Sequence, residues 1–474
     1  MDLMLILPEF ILAGLGLILI GVDLAARQSK RPVVIVGVLG TIAALAAVVA
    51  NYGQEPTDLW GMQLRHDPFA SFFKIVFLII LGLVFLSSGE YLRKHRVRTG
   101  EFYVLITLAT LGAILMAGSL DFITIFLGLE LLALPSYVLA GMRKNDIRSH
   151  EASIKFLLIG AVSSAIMLFG ISLLYGAAGT TNLQAIAESI PSLAGGQLAL
   201  LSAAGLFLLV GLGVKVAAFP LHMWAPDVYD GSPTPVSAFL ITASEAAGFA
   251  VLLRILFVAL PQLAEDWQIV LALVALATMT FGNIGALAQH RVKRMLAYSA
   301  VAQAGYVLVG LAIATPAGAS AMLFYLFVYA IMTIGAFGVV IFLSNHVPAD
   351  EIKDFIGLAQ RSPGVALAMT ILMLSLAGIP PTAGFFGKFL LFRAAVDAGL
   401  VWMGAAVVLN SVLSVAYYFR IIRNMYLRER EPGTRLAAGI PITVVLVLAV
   451  ISSVLFGVFP EPLVGIVSAI SFTP

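Results

Sequence analysis

Cysteine is absent from all 474 residues. That excludes disulfides, thiolate-held iron–sulfur clusters and a cysteine nucleophile. Charge is scarce: 11% of the residues are Asp, Glu, Lys or Arg, where a soluble domain carries roughly 25%. The six histidines (His66, His95, His150, His222, His290, His346) fall mostly in loops or at the ends of apolar runs. None sits mid-run opposite another, as a bis-histidine haem requires. No GxxxxGK(S/T) run and no Rossmann fingerprint occurs, so no nucleotide site is indicated. These absences leave a chain with no redox centre of its own and no feature that suits nucleic acid.

What is present is apolar: 61% of the residues are hydrophobic. A membrane span needs about 20 mostly apolar residues. Fourteen runs meet that measure, at approximately 3–25, 32–51, 72–92, 102–119, 121–141, 152–177, 199–220, 235–260, 268–288, 292–314, 319–344, 364–396, 401–424 and 439–459. They are numbered below as spans 1 to 14. The composition describes an all-α polytopic membrane protein of about fourteen transmembrane helices, not a soluble enzyme with an anchor. Span 1 carries Glu9 and Asp23 and lacks both a basic flank before it and a small-residue cleavage site. It therefore reads as a retained helix and not a removed signal peptide. Residues 183–192 read as a short surface helix.

The net charge of +2 says little, because the charges are unevenly placed. Loops after odd-numbered spans hold Arg27, Lys30 and Arg31; Arg93, Lys94, Arg96 and Arg98; and Arg143, Lys144 and Arg148. Further on come Arg291, Lys293 and Arg294; Lys353 and Arg361; and Arg420, Arg423, Arg428, Arg430 and Arg435. These are twenty of the 27 basic residues, whereas loops after even-numbered spans hold almost none, Arg65 excepted. Basic loops stay in the cytoplasm. Odd-numbered spans are thus expected to end there, with both termini on the outer side.

Two spans are irregular. Span 7 meets Pro220 and Pro226 soon after Lys215, and Gly378-Ile379-Pro380-Pro381 interrupts span 12 just before Lys388. Proline removes a backbone donor and kinks a helix, and inside a membrane the freed groups must face protein or water. Broken helices at corresponding positions of two halves point to a transport site. The two breaks are five spans apart. Five is odd, so the second unit would enter the membrane from the opposite side: an inverted repeat, spans 4–8 against spans 9–13. Position alone carries this expectation. It divides the chain into 1–101 (spans 1–3), 102–260 (first repeat), 261–424 (second repeat) and 425–474 (a loop and span 14).

Four charges lie inside apolar runs: Glu130, Lys215, Glu245 and Lys388. A charge within a bilayer costs at least ~2.5 kcal/mol, so each needs a partner, water or a task. Glu130 is mid-span in span 5, either half of a structural ion pair or a group that changes protonation during transport. Lys215 is its natural partner. Low dielectric disfavours a charged lysine and a nearby carboxylate favours it, so a lysine balanced between the two can hold or release a proton as its partner moves. Glu245 in span 8 lies nine residues before Arg254; it either faces Lys215 and continues a hydrated path, or is a polar residue near a helix end. Lys388 either lies inside behind its broken segment or snorkels to the interface.

Lys155 has Glu151 four residues earlier, which suits an ordinary surface pair or an access path. His222 after Pro220 is a candidate proton relay by its intrinsic pKa, or a hydrogen-bonded cap. Arg393 and Asp397 look like an i,i+4 surface pair. The polar, proline-rich stretch holding Asp227, Tyr229, Asp230, Ser232 and Thr234 reads as a turn between spans 7 and 8. No metal-ligand spacing and no nucleophile–base arrangement appears.

At Lys-Val-Ala-Ala-Phe-Pro-Leu-His-Met-Trp-Ala-Pro-Asp-Val-Tyr-Asp-Gly-Ser-Pro-Thr-Pro-Val-Ser-Ala-Phe-Leu (215–240) the chain resembles the N-subunit family of respiratory complex I, the proton-pumping NADH:quinone oxidoreductase. Three further stretches agree: Gly-Leu-Glu-Leu-Leu-Ala-Leu-Pro-Ser-Tyr-Val-Leu, Lys-Arg-Met-Leu-Ala-Tyr-Ser-Ala-Val-Ala-Gln-Ala-Gly-Tyr and Ala-Gly-Ile-Pro-Pro-Thr-Ala-Gly-Phe-Phe-Gly-Lys-Phe. The Pro-Asp-Val-Tyr-Asp-Gly-Ser-Pro-Thr-Pro stretch favours this family over its L and M relatives and over Mrp antiporter subunits. The resemblance implies an antiporter-like fold with two inverted five-helix repeats. It implies Glu130 and Lys215 as the pair of spans 5 and 7, and Lys388 as the lysine of broken span 12. The family usually has a lysine on span 8; aligning on Arg254 puts Glu245 there, with the charge reversed. Many members have a histidine in span 10, where this chain has Gln303.

The implied function is proton translocation in the membrane arm of the complex, in a bacterial inner or plasma membrane. Lys215 with Glu130 would form a charge switch, Glu245 the connector and Lys388 the gate to the outer side, with Lys155 and His222 as further candidates. No cofactor is expected in the chain; FMN, iron–sulfur clusters and quinone would belong to other subunits. M-type and K-type neighbours and, through them, the peripheral arm are the expected partners, with lipid around. The alternatives are an Mrp-type cation/proton antiporter subunit and a passive membrane scaffold.

Overall fold

The computed structural model describes residues 2–26, 29–347, 350–428 and 435–470; Arg27 and Arg430 of the basic loops lie outside them. Among the described residues, thirteen helices are long and apolar enough to cross a membrane. They run from Leu7–Ala25 and Arg31–Ala50 to Val401–Leu427 and Ile440–Val458. Span 12 completes the set as two short helices, Pro363–Ala377 and Ala383–Asp397. The chain is an all-helical polytopic membrane protein. The helix of residues 183–192 is present as Leu183–Ser189 and a final tight turn, Ile190–Ser192.

Burial sorts the helices. Spans 8, 10 and 11 (Thr234–Ala259, Val292–Ala312, Pro316–Ser344) are nearly enclosed, whereas spans 1, 2, 6 and 14 are mostly exposed. The exposed faces are apolar, with Leu17, Leu39, Leu158, Val162 and Leu448 among them. Contiguous apolar surface on this scale belongs in lipid or against another membrane protein. The enclosed core contains most of the buried polar side chains considered below.

Loops after odd-numbered spans meet one another: Arg148 pairs with Asp350 at 3.3 Å and Arg291 bridges Glu351 through the backbone. Loops after even-numbered spans do the same on the other face. There a hairpin, Thr57–Leu59 with Leu64–His66, joins Ser119, and Asp121 joins Asn182. Two buried ion pairs fasten spans 1, 3 and 8 near this second face. Lys74 meets Glu9 at 2.6 Å, and Arg254 grips Asp67 through two bonds of 2.7 and 3.0 Å while lying over the Phe69 ring.

Candidate functional site

Span 7 stops as a helix at Lys215 (Gly196–Lys215), and Ala217 takes a left-handed backbone at φ +52°. The break is satisfied by side chains. The Trp224 indole donates to the Val214 carbonyl at 3.0 Å, and Thr278 of span 9 accepts the Phe219 amide at 2.9 Å. Paired in this way, non-helical backbone is tolerated at membrane depth. Lys215 is buried against Gly248 of span 8, where a Cβ would lie 3.3 Å from its Cγ and 2.7 Å from Val216 Cγ1. The lysine lines a cavity of about 20 Å³ with Tyr137, Ser163, Ser164 and Trp224. That is room for about one water molecule.

Glu130 is half-buried on span 5 (Phe122–Ala140) and accepts the Ser164 hydroxyl at 2.5 Å. It makes no ion pair with Lys215 within 4.0 Å. The expected pair is therefore not a contact. Ser164 borders the lysine's cavity and bonds the carboxylate, so one serine links Glu130 to the space beside Lys215.

Glu245 lies 1% exposed in span 8 and accepts the Tyr229 hydroxyl at 2.8 Å. Its second oxygen is buried without a hydrogen-bond partner. A π-helical segment, Leu240–Ser244, immediately precedes it, and a second, Ile255–Ala259, follows Arg254. Such wide turns mark functional positions often. Neither Lys215 nor Arg254 bonds Glu245; Arg254 is committed to Asp67.

Lys388 is 5% exposed and does not snorkel. Pro380 and Pro381 end the first half of span 12, and Gly378 takes φ +84°, which glycine tolerates without strain. The end of Pro363–Ala377 thus has carbonyls with no intrahelical donor. Lys388 supplies one, bonding Leu376 O at 3.0 Å and Ala377 O at 3.3 Å, with its ammonium 4.4 Å from the centre of the Tyr306 ring.

Near Lys388 the structure places Gln303, named above only for standing where many relatives have histidine, and hydroxyl groups that the sequence did not single out. The Gln303 amide donates to Leu376 O at 3.2 Å and to the Tyr418 hydroxyl at 3.1 Å, and its carbonyl accepts from Tyr325. Lys388 and Gln303 thus share one carbonyl. Tyr325, Tyr329 and Thr333 recur every four residues, so they share a face of span 11. The Tyr329 and Thr333 hydroxyls are buried and make no hydrogen bond of ordinary geometry. The signal was there, a four-residue polar period inside an apolar helix, but tyrosine counts as apolar on a hydropathy reading.

Lys155 pairs with Glu151 at 2.6 Å and, unexpectedly, with Asp227 at 2.7 Å. The stretch read as a turn is a helix, Trp224–Gly231, with Pro226 in its first turn, where proline is tolerated. His222 is not a hydrogen-bonded cap. Its Nδ1 is buried without a partner, its ring stacks on Phe219 at 5.6 Å, and burial holds its pKa below the usual histidine value. No hydrogen bond links it to the four buried charges. Arg393 and Asp397 form the exposed pair at 3.5 Å. Among the described residues no group of three His, Cys, Asp or Glu is placed to hold a metal.

The family described as NADH:quinone oxidoreductase/Mrp antiporter, transmembrane, matches residues 119–414. NADH-quinone oxidoreductase subunit N of Trichlorobacter lovleyi is 42% identical, covering 97% of this chain and 95% of its own length. The chain belongs to the subunit N family. F(420)H(2) dehydrogenase subunit N of Methanosarcina mazei is 39% identical over 98% of this chain and 97% of its own. A chain of respiratory complex I from Thermus thermophilus superposes with a TM-score of 0.81 at 33% identity, covering 97% of this chain and 98% of its own. One from the Mrp complex of Dietzia sp. gives 0.87 at 22% identity, over 99% and 97%. At that identity the likeness is one of fold. Backbone geometry alone does not separate subunit N from an antiporter subunit, and sequence does.

Proposed function

We infer that this chain is the N-type, antiporter-like membrane-arm subunit of an NADH:quinone oxidoreductase, and that it moves protons while other subunits move electrons. The observation that carries the residue assignment is a series of buried polar groups through the enclosed core: Lys215, then Tyr229 with Glu245, then the span 11 hydroxyls, Gln303 and Lys388. Glu130 and Lys215 form a charge switch acting across Ser164. Glu245 is the connector, and Lys388 is the gate toward the outer side. Attraction between such charges strengthens as water leaves, so hydration of the small cavity sets whether Lys215 keeps its proton. Lys155 and His222 are the further candidates for proton entry at the cytoplasmic end.

Close glycine contacts support the two five-span repeats, 102–260 and 261–424. A Cβ at Gly112 of span 4 would lie 2.4 Å from Leu132 N of span 5, and one at Gly282 of span 9 would lie 2.4 Å from Ala302 N of span 10. Small residues let membrane helices approach this closely. Residues 1–101 and 425–474 flank the repeats. M-type and K-type subunits are the neighbours in this reading, and the peripheral arm with its FMN, iron–sulfur clusters and quinone is reached through them. The membrane is the bacterial inner or plasma membrane, with the basic loops in the cytoplasm and both termini outside.

Lys215→Ala and Glu245→Gln in the assembled complex, reconstituted in proteoliposomes, test the reading. Protons moved per electron pair fall in both while uncoupled electron transfer persists. Unchanged proton yield with normal assembly would show the buried charges to be scaffold.

A further inference from the structure

The helix Trp224–Gly231 presents charge on one side and a tyrosine on another. Asp227 receives Lys155 of span 6 at 2.7 Å and Arg294 of span 10 at 2.6 Å. Asp230, three residues on and so on the same face, pairs with Arg291 at 2.5 Å. Lys293, 6% exposed, donates to the carbonyls of Asp230 at 2.8 Å and Ser232 at 2.5 Å. Three cations of spans 6 and 10, with Arg291 just ahead of span 10, therefore hold eight residues. Tyr229 lies between the two aspartates in sequence and away from them in direction. It is 1% exposed, its carbonyl accepts the Ser237 hydroxyl at 2.6 Å, and its own hydroxyl bonds Glu245.

On the charged side the helix borders a polar cavity of about 530 Å³, lined by Tyr91, His95, Arg143, Asp230, Arg291 and Lys293 among others. Asp230 Oδ1 and His95 Nε2 are buried there without hydrogen-bond partners. The helix thus lines this cavity with Asp230 and reaches Glu245 with Tyr229. Tyr229 is the single hydrogen-bond donor that Glu245 has among the described residues, and a buried carboxylate depends strongly on such a partner.

We propose that Asp227 is a positioning residue for Glu245: drawn between Lys155 of the first repeat and Arg294 of the second, it fixes the short helix so that Tyr229 stays against the Glu245 carboxylate. One carboxylate then ties the two repeats together at the connector. This rests on the reading of Glu245 as a relay station. It assigns Asp227 no contact with the moving proton.

The test uses the assembled complex in proteoliposomes, reading protons per electron pair beside the uncoupled electron-transfer rate. Asp227→Asn loses as much proton yield as Tyr229→Phe, the double variant loses no more than either, and Asp227→Glu recovers most of the yield. Arg393→Gln, in the exposed pair, is the control and keeps full yield. Additive losses in the double variant, or full yield in Asp227→Asn while Tyr229→Phe falls, overturn the proposal. Should Asp227→Asn not assemble, Arg294→Gln replaces it from the other side of the bridge, with the same non-additivity expected and additivity again overturning. Full yield in both Glu245→Gln and Tyr229→Phe removes the relay reading and this proposal with it. Loss in those two beside full yield in Asp227→Asn removes the positioning role alone.

Discussion

The two broken spans solve one problem in opposite ways. In span 12 the lysine itself mends the break, its ammonium bonding the carbonyls of Leu376 and Ala377. In span 7 the Trp224 indole mends the break, and Lys215 is left beside a small cavity with no ion pair. A lysine that holds its helix together has a stake in staying put. A lysine relieved of that duty can answer to a charge across the void. The difference suits a gate on one side of the chain and a switch on the other.

The comparison breaks first at Lys388. Lys388→Met keeps the length and removes the donors, leaving the buried Ala377 carbonyl short of a partner at about 1–3 kcal/mol and the Leu376 carbonyl with Gln303 alone. A lower unfolding midpoint of the purified complex, together with lost proton yield, is expected. Lys215→Met, by contrast, loses yield and leaves the midpoint near wild type; equal destabilisation of both variants would erase the distinction. Gly248→Ala sharpens it further. The new Cβ would press on the stiff Val216 side chain and crowd Lys215, costing about 1–3 kcal/mol as overpacking does. Proton yield falls partially, and a wild-type yield would show that the lysine's seat against span 8 is immaterial.

The smallest effect is on pH. Burial pushes the Asp227 carboxyl up, but hydrogen bonds and charges from Lys155 and Arg294 outweigh it and hold the group below the usual carboxylate value. A depressed carboxylate adds stability above its unfolded pKa and loses it as pH falls through the folded one. Glu151 and Asp230 are the other titrating groups nearby, through Lys155 and on the same face. The midpoint difference between wild type and Asp227→Asn is therefore constant at neutral pH and shrinks below the ordinary carboxylate range. With Asp227 30% exposed the difference itself is modest, and one that grew on acidification would contradict the bridge.

The fold was legible because hydropathy and basic loops are one-dimensional signals. Span boundaries differ by a few residues, and the breaks at Pro220 and at Gly378–Pro381 stand where proline and glycine put them. The site was legible as far as charge in an apolar run can be seen: Lys215, Glu245 and Lys388 are all interior. Partners were not. Asp67 and Arg254 are 187 residues apart, Lys74 escaped notice inside span 3, and Glu130 bonds a serine of span 6 and not Lys215. Helix Trp224–Gly231 was misread because Pro226, with Pro233 and Pro235 after the helix, looks like a turn, although a proline in the first turn starts a helix as readily as it ends one. The span 11 hydroxyls hid in aromatic rings.

The wide turn ahead of Glu245 has one more effect. Leu240–Ser244 holds more residues per revolution than the regular helix on either side of it. Each residue of an ordinary helix advances about 100° around its axis. Were this turn to tighten into the common form, everything beyond it would swivel relative to Tyr229, and the carboxylate would turn to meet other neighbours. The aim of the most deeply enclosed acid at Tyr229 thus depends on five residues keeping their wide winding.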